Sequence, residues 1–186
     1  MNQYQTNLKN STDIARRVAQ EGMVLLENNG TLPLLKDSRV AVFGIGQIDY
    51  VQAGSGSGTI NSEYSINLLT GLRNNGKLKV DEDLAAIYEA YYKSEKSKQS
   101  ESSSSFLELS PKIPEMPLSE AVLANAALHS KIAILTCSRS SGEGKDRELT
   151  RGDYYLSGDE EDLFAKVRVE ALNAPGENAA KYILGI

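Results

Sequence analysis

The sequence predicts an α/β fold: a mainly parallel sheet with helices on both faces, in three layers. Two strand candidates, residues 39–46 and 131–137, are nearly continuous apolar runs without the alternation of a half-exposed strand. Each is followed by a polar loop and then by a helical pattern. Strands of this kind are buried on both sides, because the helices that connect them cover the two faces of the sheet.

The first half of the chain predicts helix, strand, helix, strand, helix. Thr12 and Asp13 offer N-cap chemistry to an amphipathic helix whose apolar residues recur as far as Leu26, and Gly30 and Pro33 then stop it. A strand at 39–46 leads into a loop rich in Gly and Ser at 49–62. A helix at 66–74, a short strand at 77–80 and a helix at 81–92 follow.

The second half contains a change of composition. Residues 93–117 are rich in Ser, Lys, Glu and Pro and offer little to bury, which predicts a flexible insertion within one domain spanning residues 1–186. A helix at 119–128, the strand at 131–137 and a polar loop at 138–155 come next. Ser157 then caps a helix from Asp159 to about Arg168.

Composition excludes several classes of function. A chain of 186 residues with 25 acidic and 20 basic side chains has no obvious basic face, so nucleic acid is a poor partner. The single Cys137 and the single His129 exclude a disulfide scaffold and metal sites built from several thiolates or imidazoles. Neither a signal peptide nor a run of about 20 apolar residues is present, so we expect a cytoplasmic protein without membrane partner.

Individual residues have simple structural interpretations. We expect Cys137 in the core and His129 at the surface end of a helix, and we expect Tyr88, Tyr91 and Tyr92 on a packing face.

Gly44 and Gly46 after a strand suggest a dinucleotide site, but Asp49 stands where the fingerprint needs a third glycine. The alternative is that these glycines only let the strand turn tightly, and no cofactor is then expected.

Two loops should lie outside the carboxyl ends of the strands, where ligands bind in such sheets. One contains glycines and serines from Gly54 to Gly58, and the other runs from Ser140 to Arg147. Glu143 lies between two glycines in a charged setting, which suits a general acid but equally suits a solvated glutamate. The residues alone leave both interpretations open.

Four segments, in this order, resemble one known family. They are ARRVAQEGMVLLEN at 15–28 with LPL at 32–34, VAVFG at 40–44 with the glycine-rich loop, SRSSGEGKDR at 138–147, and GDYYL at 152–156. Together they resemble the α/β sandwich domain of glycoside hydrolase family 3, the β-glucosidases. The early position of the domain resembles members in which the sandwich precedes the barrel.

The resemblance implies a retaining mechanism, in which two carboxyl groups lie roughly 5 Å apart. It implies that Glu143 is the acid/base, that Ser57 approaches the sugar, and that Asp146 and Arg147 support the loop. We expect no metal at the site. The nucleophilic aspartate belongs to the family's (β/α)8 barrel, usually beside a tryptophan, and this chain has no tryptophan.

We therefore expect the sandwich portion of a β-glucosidase-like hydrolase, inactive alone, with a β-glucoside as substrate once a barrel is present. A non-catalytic module that binds carbohydrate or protein is the alternative, and a nucleotide-binding domain is a weaker one.

The C-terminal segment departs from the family pattern. Residues 169–185 resemble the family's last turn and helix, joined directly to the preceding helix, so at least one family strand is expected to be missing. Such a deletion leaves strand NH and CO groups unpaired, which predicts an altered sheet edge or self-association through it.

Overall fold

A computed structural model describes residues 8–50, 64–100, 112–139, 146–173 and 181–185. The chain divides into two compact units, residues 1–33 and 34–186, which are described separately.

The first unit contains helix α1, Leu8–Glu21. The helix begins before the predicted caps. It ends at Glu21, just before Gly22, because glycine loses more backbone entropy in a helix than other residues. The prediction that it continues to Leu26 was therefore wrong. The predicted stop forms a separate turn, in which the Asn28 side chain accepts from the backbone N–H groups of Gly30 and Leu32, at 3.1 Å each.

The second unit is built on a parallel sheet. Its described strands are β1 (Arg39–Phe43), β2 (Lys79–Val80), β3 (Ile132–Thr136) and β4 (Lys181–Gly185), in the order β2-β1-β3-β4. All the pairings between them are parallel. The fold class predicted from the sequence is confirmed.

Strand β4 corrects the prediction for the C-terminus. Residues 181–185 were expected to be helical but pair with β3, with Ala133 opposite Tyr182. The apolar run Tyr182, Ile183 and Leu184 suits either structure, and the ladder bonds that β3 offers favour the strand. That a family strand is missing stays a prediction.

The helices of the second unit are α2 (Leu68–Asn75), α3 (Glu82–Ser100), α4 (Glu120–His129) and α5 (Gly158–Asn173). Alternate residues of β1 face different cores. Ala41 and Phe43 belong to a buried cluster with residues of α4 and α5, whereas Val40 and Val42 belong to a cluster with Leu69 of α2. Helices therefore cover both faces of the sheet.

Local capping signals fix several helix ends. The Asn67 side chain accepts from the backbone of Thr70 at the start of α2, and Gly76 ends that helix with a φ of 65°. The Ser119 side chain accepts from the Val122 N–H and so caps α4.

The predicted insertion at residues 93–117 is too wide at both ends. Helix α3 continues to Ser100, with Tyr91 and Tyr92 packed against the core. After residues 101–111, which lie outside the described part, Ile113, Glu115 and Met116 are buried. The segment 112–118 is thus part of the fold, since its apolar residues alternate with prolines and fill the core beside Tyr88.

In the part of the chain that the structure describes, none of the helices combines the length and apolar character needed to cross a membrane.

Candidate active site

The strands that lead to the two loops singled out by sequence end side by side. Strands β1 and β3 pair in parallel, with Phe43 opposite Leu135, so both strands end at the same edge. Neighbouring strands lie about 4.8 Å apart. The segments that lead to Ser57 and to Glu143 therefore start from adjacent positions.

The exit from β1 needs a glycine. Gly44 has a φ of 95°, and a Cβ atom there would lie 2.3 Å from the backbone oxygen of Thr136 on β3. The Thr136 hydroxyl donates to the Phe43 carbonyl at 2.9 Å, which holds the two strand ends together. The positive φ fits the expectation that Gly44 lets the chain turn, and the close approach of β3 is a second reason for a glycine here.

A buried carboxylate fixes the backbone after Gly44. Glu115 accepts from the Ile45 N–H at 2.8 Å and from the Met116 N–H at 3.0 Å. The Tyr88 hydroxyl accepts from the Gly44 N–H at 3.0 Å and lies 3.5 Å from the Glu115 carboxylate. Two consecutive N–H groups at the start of the loop are thus held by side chains from α3 and from the segment 112–118.

Burial governs the protonation of these two groups. It raises the pKa of Glu115, and the hydrogen bonds from the Ile45 and Met116 N–H groups only partly oppose this. Burial, reinforced by the nearby Glu115, also raises the pKa of Tyr88 far above its usual value. Tyr88 therefore stays a neutral phenol throughout the physiological range.

The exit from β3 is held by a buried ion pair. Arg139 donates from Nη1 to Glu160 Oε1 and from Nη2 to Glu160 Oε2, at 2.7 Å each. The side chains are only 7% and 6% exposed. Arg139 also donates to the Ser138 carbonyl at 2.9 Å and to the Tyr155 carbonyl at 3.2 Å. This guanidinium immediately precedes the loop that contains Glu143.

Glu160 joins three segments at the start of α5. It accepts from the Ser157 N–H at 2.8 Å while its own N–H donates to the Ser157 hydroxyl at 3.2 Å, which completes the predicted cap. Lys112 donates to it at 3.1 Å. Burial alone would raise the pKa of Glu160, but the hydrogen bonds from Arg139, Ser157 and Lys112 outweigh it and lower the pKa to about 2.

Cys137 lies beside this ion pair. Its Sγ is 3.1 Å from Arg139 Nη1, and it is buried as expected. Burial raises the pKa of the thiol, so it is protonated near neutral pH.

The chain that returns from the Glu143 loop forms a compact turn. The Asp153 carboxylate accepts from the Glu148 N–H at 2.7 Å, and the Gly152 N–H donates to the Tyr155 carbonyl at 2.9 Å. That carbonyl also accepts from Arg139, so both flanks of the loop meet at one guanidinium.

Comparison with known proteins adds the deciding observation. Residues 23–175 match the model of the glycosyl hydrolase family 3 C-terminal domain. The chain belongs to glycosyl hydrolase family 3.

Relatives of this family 3 chain are β-glucosidases. It is 35% identical over 154 residues to β-glucosidase A of Butyrivibrio fibrisolvens, covering 81% of this chain and 18% of that protein. The solved β-glucosidase 3B of Thermotoga neapolitana in complex with glucose is 37% identical, with a TM-score of 0.86, and the match covers 97% of this chain and 24% of that one. A β-glucosidase from Paenibacillus barengoltzii is 35% identical with a TM-score of 0.76, covering 85% and 17% of the two chains. The chain thus spans a quarter or less of each of these relatives.

The structure places some of the predicted site residues. Glu143 and Ser57 lie outside the described residues. Asp146 and Arg147 are exposed. His129 is exposed at the end of α4, as expected, with its Nδ1 2.9 Å from the Asn125 carbonyl. No group of three or more potential metal ligands occurs within the described ranges.

Sequence reasoning missed the side chains that hold the two strand exits. Glu115 falls in the segment expected to be a flexible insertion, and Arg139 counted only as part of the charged segment around Glu143. The apolar residues beside prolines at 113–118 were a sequence signal that the segment containing Glu115 is buried. The Ser157 to Glu160 capping pattern gave no indication that Glu160 binds an arginine.

Proposed function

We propose that this family 3 chain is the sandwich portion of a retaining β-glucosidase-like hydrolase. Glu143 is assigned as the acid/base, which protonates the departing glycosidic oxygen and then activates water. Ser57 is assigned a contact with the sugar, and Asp146 and Arg147 are assigned to the support of the Glu143 loop. The chain alone is expected to be inactive, because the second carboxyl group of the mechanism comes from a barrel.

One observation carries this proposal. The parallel pairing of β1 with β3 starts both candidate loops at the same sheet edge, and the side chains at these strand exits are fixed by hydrogen bonds. Ligand sites of parallel sheets form at this edge. The relatives' names give the substrate class, and the short span relative to them supports the need for a further domain.

The test is hydrolysis of phenyl β-glucoside, whose poor leaving group needs a proton, by the chain alone and by the chain mixed with a family 3 barrel that carries the nucleophile. We expect turnover only in the mixture. Glu143→Gln should reduce it by at least about 100-fold. An active mixture that Glu143→Gln leaves unchanged would exclude the acid/base assignment.

The same preparations test the alternative module. If the mixture is inactive while isothermal titration shows that the chain binds glucose, the non-catalytic carbohydrate-binding function replaces the enzymatic one. Self-association through a sheet edge is a further proposal, and strictly monomeric solution scattering would refute it. The cytoplasmic location stays a prediction, which cell fractionation would test.

A further inference from the structure

The Arg139–Glu160 pair contains more contacts than the capping of α5 requires. Ser157 and Glu160 alone complete the cap, because the side chain of each accepts from the backbone N–H of the other. Arg139 adds a bidentate, nearly fully buried ion pair and two bonds to backbone carbonyls. A buried ion pair often stabilises a fold no better than apolar side chains of similar volume. Because apolar side chains often serve stability as well, the directional bonds of Arg139 call for a further explanation.

The contacts of Arg139 define the geometry of two chain segments. The bond to the Ser138 carbonyl fixes the chain as it leaves β3, and the bond to the Tyr155 carbonyl fixes the chain that returns through the turn at 148–155. Glu160 holds the guanidinium itself from the first turn of α5. The planar guanidinium makes these bonds in several directions at once, which a lysine ammonium does not reproduce.

We infer that Arg139 is a positioning residue for the general acid, acting through Glu160 and the Tyr155 carbonyl; this rests on the proposed role of Glu143. A general acid must lie within hydrogen-bond reach of the oxygen that it protonates. A displacement of about 1 Å costs on the order of 100-fold in rate. Arg139 itself touches no reacting atom in this role.

The substrate's leaving group separates positioning from a purely structural role. A poor leaving group needs the proton, whereas a good one departs without it. In the mixture with a barrel, we expect Arg139→Met to lower kcat/KM for phenyl β-glucoside by about 100-fold and for 2,4-dinitrophenyl β-glucoside by less than about 3-fold. Equal losses on both substrates, or no loss on either, would overturn the inference.

Two further variants guard against misfolding. Arg139→Met combined with Glu160→Leu leaves neither charge buried without its partner, so it should fold even if the single variant does not. It should still lose activity selectively on phenyl β-glucoside, whereas recovered activity would show that the pair only stabilises the fold. Arg73→Met is the matched control, because Arg73 also pairs with two glutamates, Glu82 and Glu89, but joins α2 to α3. It should leave the ratio of the two kcat/KM values unchanged, and a shifted ratio would count against the inference.

Failure of the inference is distinguishable from failure of the proposed function. Glu143→Gln should show the same dependence on the leaving group. If Glu143→Gln shows it and the Arg139 variants do not, the positioning role is wrong and the acid/base assignment stands. If Glu143→Gln does not show it, the proposed function fails and the positioning role fails with it.

Discussion

Removing the charge of Glu160 should make the stability of this chain less dependent on pH in the acidic range. The pKa of Glu160 is lowered from 4.5 to about 2 in the folded protein. Each pKa unit corresponds to about 1.4 kcal/mol, so ionisation of this carboxyl contributes about 3 kcal/mol to the free energy of unfolding at neutral pH. The side chain is nearly buried, so solvent screening removes little of this.

The direction in which pH changes the stability follows from the lowered pKa of Glu160. Because the folded pKa lies below the unfolded one, the contribution is complete above the unfolded pKa and is lost as the pH falls toward the folded pKa. We expect Glu160→Gln to lower the free energy of unfolding by about 3 kcal/mol at pH 7, since Arg139 then lacks its buried counterion. At pH 3 this deficit should be smaller by about 2 kcal/mol.

Urea unfolding of both proteins at pH 7 and pH 3, followed by circular dichroism, measures the difference. Glu161→Gln is the control, because Glu161 is its exposed neighbour and pairs with Arg151 at the surface. Its effect should stay within about 0.5 kcal/mol at both pH values. The reasoning would be refuted by a deficit in Glu160→Gln that is the same at both pH values, or by an equal deficit in the control.

Three further changes test the exit from β1, each by urea unfolding. Gly44→Ala should lower the free energy of unfolding by at least about 3 kcal/mol, because its Cβ would meet the Thr136 oxygen. The control Gly76→Ala, also at positive φ but with open space around it, should lower it by only about 1 kcal/mol. Equal losses would contradict the steric argument. The folded protein should lose stability as the pH rises above about 4.5, because the raised pKa of Glu115 makes its ionisation unfavourable to the fold. Glu115→Gln should make this loss smaller. An unchanged dependence of stability on pH would show that ionisation of Glu115 does not destabilise the fold. Tyr88→Phe should cost about 1 to 2 kcal/mol, because the buried Gly44 N–H loses its acceptor, and a neutral effect would mean that the N–H finds another partner.

Features set by residues close together in the chain were predictable. The cap at Ser157 joins groups three residues apart, and the apolar runs of β1 and β3 are continuous in sequence. The family resemblance also rests on such short segments. The parallel order of strands follows from their alternation with helices.

Features that depend on distant partners were not predictable. Residues 181–185 became a strand only because β3 lies beside them. The end of α1, by contrast, follows from Gly22, a local signal that the apolar stripe concealed. The segment around Glu115 was assigned to an insertion by its composition, yet it is buried against a core formed by other elements.

The sequence by itself determined the fold class and the family of this protein, and it indicated which loops to consider. Only the tertiary structure decided how those loops are held. Glu115 reaches the Ile45 N–H across 70 residues, and Glu160 reaches Arg139 across 21. Local patterns in the sequence report only on residues that are neighbours along the chain. The energy of a buried charge depends on the groups around it, and only folding brings these groups together.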